Sequence, residues 1–80
     1  MVWHALHEGE GAKLHELAEQ YHLHPLHIED CEHGGQNAKL EEDENYLFVI
    51  LKPVYTEDDG TLNFGDFDVF LGKDFLVTYE

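Results

Sequence analysis

The chain has no arginine, no serine, one cysteine and only four lysines among its 80 residues. Each shortage removes a class of function. Four basic residues against 18 acidic ones leave a formal net charge of −14. No basic patch can then follow a phosphate backbone, and both nucleic acid and anionic lipid are repelled while cations are attracted. Without serine, the hydroxyl groups reduce to Thr56, Thr61, Thr78 and the tyrosines. The lone Cys31 excludes an intrachain disulfide and suits a reducing compartment. No glycine-rich segment has phosphate-binding spacing. The longest apolar run, Tyr46 to Leu51, falls far short of the ~20 residues a membrane-crossing helix needs. The N-terminus lacks the basic flank and apolar run of a signal peptide.

What is present suffices for one domain over residues 1–80. Apolar residues make up 42% and aromatic ones 12%. A chain this short buries roughly 60% of its unfolded surface, so the core is modest. Val2, Trp3, Ala5 and Leu6 read as a first strand, closed by Gly9 and Gly11. From Ala12 the period changes: Leu14, Leu17, Ala18 and Tyr21 fall on one face of a helix that fades near His22. Pro25 disfavours helical geometry at His24 and fits the first position of a second, short helix. Leu26 and Ile28 are expected to face inward there, and Gly34-Gly35 stops it. Glu29 and Asp30 lie near its end, where carboxylates oppose the helix dipole, so local helix physics does not account for them.

The run Glu41-Glu42-Asp43-Glu44 reads as a solvated connection. Tyr46 to Leu51 reads as a strand buried on both faces. Pro53 weakens pairing beside it, and Glu57-Asp58-Asp59-Gly60 is a turn. Phe67, Val69 and Leu71 alternate with Asp66, Asp68 and Phe70 in a half-buried strand. A tight Gly72-Lys73-Asp74 loop leads to a returning strand from Phe75 to Tyr79. The expected fold is α+β: a small, mostly antiparallel sheet with two helices packed on one face, in the order strand, two helices, three strands.

Seven histidines raise the question of a metal. His24 and His27 share a helix face, with His22, Cys31 and His33 nearby. The recognisable zinc spacings are missing, so surface histidines that catch adventitious metal are the plainer reading. His15 and Glu19 can pair across a helix turn. The acidic turn before Gly60 lacks the alternation and closing glutamate of a calcium loop. A thiol enzyme built on Cys31 with His33 or His27 has no oxyanion hole in view and little length for a cleft, so the chain is not expected to be an enzyme. Glu29 and Asp30 point about 100° apart on a helix, too far to chelate one ion together. Each can instead join a site completed by another segment or chain, since hard cations such as Mg²⁺ take few carboxylates and keep several waters.

His24-Pro25-Leu26 with Glu29-Asp30, then Lys39, then Glu44-Asn45-Tyr46 through Lys52, resemble in order and spacing the cytoplasmic domain of the CorA-type divalent-cation transporters. Trp3 resembles the tryptophan of that family's early strand. Gln36 and Lys39 resemble the ends of its Gln-Arg-Pro-Lys element, with Asn37 and Ala38 replacing the middle pair. The resemblance implies a partial α/β/α domain on the cytoplasmic side of the inner membrane, in a pentamer. The membrane spans, their Gly-Met-Asn motif and the long helix carrying partner acids lie outside this sequence. Membrane contact is then made only through segments further along the chain. The resemblance also implies that Glu29 and Asp30, Asp30 above all, bind regulatory Mg²⁺ at subunit boundaries, with Mg²⁺ or Co²⁺ as cargo. The fragment alone is expected to be a monomer or dimer, to hold Mg²⁺ weakly and to transport nothing. The histidines keep a Zn²⁺-transporting relative open, and a freestanding acidic module that binds metal or protein is the alternative of a different class.

Overall fold

The computed structural model describes all 80 residues. In chain order it contains β1 (Val2–Leu6), α1 (Gly11–Tyr21), α2 (Pro25–His33), β2 (Lys39–Glu42), β3 (Tyr46–Leu51), β4 (Val54–Thr56), β5 (Leu62–Phe64), β6 (Phe67–Gly72) and β7 (Phe75–Tyr79). Five strands form one sheet in the order β1-β7-β6-β3-β2, and β4 with β5 forms a separate hairpin. Only β1 runs parallel to its neighbour, β7; the other ladders are antiparallel. The fold is therefore α+β, with a mostly antiparallel sheet and two helices.

Strand registers decide which face is filled. Phe48 pairs with Phe70, Phe70 with Val77, and Leu6 with Tyr79. Those side chains share one face, because successive residues of a strand point to opposite sides. They join Leu14 and Leu17 of α1 and Ile28 and Cys31 of α2 in a single core cluster. Both helices thus cover the same face. The opposite face carries Leu40, Val49, Val69 and Leu71 in register, and Leu40, Leu51 and Leu71 are exposed there.

That arrangement corrects several sequence expectations. The strand Tyr46–Leu51 is not buried on both faces: Tyr46, Phe48 and Ile50 are buried, Leu47 and Val49 are half-covered, and Leu51 is exposed. Apolar residues on both sides mimic a doubly covered strand. In β6 the inward residues are Asp68 and Phe70, whereas Phe67 and Val69 are only half-buried. Glu41 and Glu42 belong to edge strand β2 rather than to a connection. Acids are uncommon in strands, but charge on an edge is how sheets discourage further pairing. The short pair β4 and β5 was not expected as strands, although the turn at Glu57–Gly60 is present, with Gly60 at φ 87°. Leu26 does not face inward and is 62% exposed.

The joints follow local chemistry. α1 ends on His22 in the left-handed region, and the Leu23 N–H closes onto the Ala18 carbonyl at 2.9 Å. Pro25 then opens α2, whose last turn is closed by the Gly34 N–H on the Asp30 carbonyl at 3.0 Å. Between β6 and β7, a side chain at Gly72 would collide with the Phe75 ring, which itself stacks on Tyr21 at 4.0 Å.

Candidate functional site

The short helix α2 faces three surroundings at once, and its polar residues sort accordingly. His24 caps it: the ring Nδ1 accepts the Leu26 N–H at 3.0 Å. One turn on, His27 points into the core and is only 6% exposed. Its ring lies on Phe48 with centroids 4.3 Å apart. Its Nδ1 is 2.7 Å from the Tyr46 hydroxyl, and its Nε2 is 3.2 Å from Glu41. The Tyr46 oxygen also accepts the His24 N–H at 2.7 Å. With the Tyr46 hydroxyl donating to Nδ1, the proton on Nε2 donates to Glu41 and every polar atom of the ring is satisfied. His27 is therefore a core residue, not a surface histidine. Burial pushes the Tyr46 phenol above its ordinary range, against the His24 N–H, which lowers it.

Asp30 and Glu29 do diverge. Asp30 turns toward the sheet and accepts from Lys39 Nζ at 2.7 Å. The same ammonium reaches Glu41 at 2.9 Å, so Asp30, Lys39, Glu41, His27 and Tyr46 form one chain of contacts from α2 to β2 and β3. The hydrogen bond to Asp30, then that to Glu41, raises the Lys39 pKa; the hydrogen bond to Lys39, then that to His27, lowers that of Glu41. This is the partner that local helix physics lacked. It also means that Asp30, the carboxylate the resemblance favours, does not stand free: its side chain is 20% exposed and engaged with a cation of its own chain. Glu29 lies outward, with only His33 within reach at 3.9 Å across one helical turn. Of the two, Glu29 is the carboxylate open to a neighbour.

The remaining sequence candidates are dispersed. His15 pairs with Glu32 of α2 at 3.1 Å rather than with Glu19. His4 contacts the Tyr21 hydroxyl at 2.9 Å. Nowhere do three His, Cys, Asp or Glu side chains converge to ligate an ion. Cys31 is buried beside Asp68, and burial first, then Asp68, pushes its thiol far above the ordinary range. A thiolate nucleophile is thus strongly disfavoured. The acidic turn is held by its own backbone, with the Thr61 N–H on Asp59 Oδ1 at 2.9 Å. Sequence reasoning missed the contact of Asp30 with Lys39, which joins residues nine apart, and the buried Asp68. Both have a signal in principle: a lysine amid acids on an edge strand, and an acid in phase with Phe70.

No helix is long and apolar enough to cross a membrane. The fold is shared with the soluble domain of CorA from Methanocaldococcus jannaschii, at a TM-score of 0.69 and 18% identity, over 96% of this chain and 30% of that one. YfjQ of Bacillus subtilis (strain 168), named for metal ion transport, is 36% identical over 64 residues, which is 80% of this chain and 19% of that protein. The chain thus spans about a fifth of that relative and under a third of the solved domain. The family model described as CorA-like Mg²⁺ transporter protein matches residues 1–80. The chain belongs to the CorA-like Mg²⁺ transporter family.

Proposed function

We propose that this chain is the ion-sensing part of a divalent-cation transporter, placed on the cytoplasmic side of the membrane in a pentamer, with Mg²⁺ or Co²⁺ as cargo. The observation that carries the reading is the family match over every residue. The acidic surface supports it, since a net charge of −14 raises the local cation concentration. Regulatory Mg²⁺ bridges subunits through Glu29, the outward carboxylate. Asp30 joins only where Lys39 lets go. A bridging ion favours the closed arrangement only by binding it better than the open one. The domain is read as a binding part and not an enzyme because the family it belongs to is one of transporters.

Zn²⁺ is the alternative cargo. The test is flux. The chain is extended along its reading frame past Glu80, reconstituted in vesicles and loaded with an ion-sensitive dye. Saturable Mg²⁺ or Co²⁺ entry supports the proposal. Flux of Zn²⁺ alone moves the assignment to the zinc-carrying relatives, and a stop codon directly after Glu80 leaves the freestanding acidic module.

A further inference from the structure

Between the C-terminal half of α2 and strand β6 lies a cavity of about 210 Å³, bordered by Glu8, Cys31, Glu32, His33, Asp66 and Asp68 among others. Asp68 is its innermost acid. It sits on the helix-covered face of β6, opposite Ile50 on one side and Tyr79 on the other, and is 3% exposed. A buried carboxylate is ordinarily held by N–H donors or a cation. Here the one donor within reach is the Cys31 thiol, which is weak. Lys52, which could have served, is bonded to Asp66 instead. No buried side-chain oxygen is sealed off without a partner, so the Asp68 carboxylate opens onto the cavity. Burial raises its pKa to about 6; the Cys31 thiol and Lys52 oppose this, while Asp66 and Asp30 add to it. At neutral pH the group is therefore mainly an anion on the wall of a polar hollow.

We propose that this cavity binds a hydrated divalent cation, with Asp68 as the buried anchor and Glu8 and Glu32 at the rim accepting from its waters. Three side-chain ligands do not converge there, so the ion proposed is one that keeps its water shell. Mg²⁺ gives up water reluctantly and keeps several. One water takes up about 10–15 Å³ of such space, so the cavity of about 210 Å³ has room for an ion with its water shell. The site lies within one chain and includes neither Glu29 nor Asp30, so it does not rest on the subunit-boundary reading.

Mn²⁺ tests it as a paramagnetic stand-in, added to the isotopically labelled 80-residue chain at pH 7.5. Sub-stoichiometric Mn²⁺ should selectively broaden the amides of Cys31, Gly34, Gly35 and Asp68, and excess Mg²⁺ should restore them. Asp68→Asn should raise the Mn²⁺ needed at least tenfold. Glu32→Gln, which gives up only an exposed pair with His15, should raise it several-fold, and Glu44→Gln, outside the cavity, should leave it unchanged. Broadening confined to Glu41–Glu44 and Glu57–Asp59, or equal in the wild type and both cavity variants, overturns the proposal. Should Asp68→Asn fail to fold, an unchanged Mn²⁺ requirement in Glu32→Gln overturns it alone.

Discussion

Asp68→Asn should make the domain more stable at neutral pH and no more stable in acid. In the native state the carboxyl titrates near 6 instead of at its ordinary 3.8. A tenfold change in a proton equilibrium is about 1.4 kcal/mol, so ionising Asp68 inside the fold costs about 3 kcal/mol. Below about pH 3 the group is protonated in folded and unfolded chains alike, and the cost vanishes. As pH rises through the interval, the unfolded chain loses its proton first. The native state then holds more protons, so stability falls with rising pH until the native group has also titrated. Asparagine keeps the shape and removes the charge. Urea unfolding followed by far-ultraviolet circular dichroism, in metal-free buffer, measures the difference. With a slope of about 1 kcal/mol per molar urea for a chain this size, the variant midpoint should exceed wild type by about 3 M at pH 7 and merge with it near pH 3. Every other acid is common to both proteins, so self-repulsion largely cancels. Parallel curves across that range would refute the account of Asp68 as an ionised group lacking a strong donor.

Further outcomes concern the contacts that tie α2 to the sheet. Tyr46→Phe removes the oxygen that meets both the His24 N–H and His27 Nδ1; stranding these groups should cost about 1–3 kcal/mol in urea unfolding. Gly72→Ala places a methyl against the Phe75 ring and should cost about 1–3 kcal/mol by overpacking, seen as a lowered melting temperature.

Much of the fold was legible because its signals are local. The helical spacing of Leu14, Leu17, Ala18 and Tyr21, the proline at the start of α2, Gly34 at its end and the tight turn before Phe75 all act within a few residues. What was not legible depends on distant partners. Glu41 looked like part of a solvated acidic run, because nothing local reveals that Lys39 and His27 meet it on an edge strand. His27 looked like a surface histidine, because its Phe48 stack forms only when β3 passes beneath α2. Alternation in β6 identified a strand but not its inward face, which the register with β3 and β7 decides in favour of Asp68 and Phe70. At the candidate site, the divergence of Glu29 and Asp30 followed from helix geometry. The engagement of Asp30 by Lys39 did not, and it shifts the open carboxylate to Glu29.

The sensing proposal is tested most directly by protease protection of the intact, membrane-embedded transporter carrying this domain, titrated with Mg²⁺. Glu29→Gln should raise the Mg²⁺ concentration needed for half-protection several-fold, and Glu29→Gln combined with Asp30→Asn should raise it further. Protection at the wild-type Mg²⁺ concentration in the double variant would contradict a regulatory site on α2.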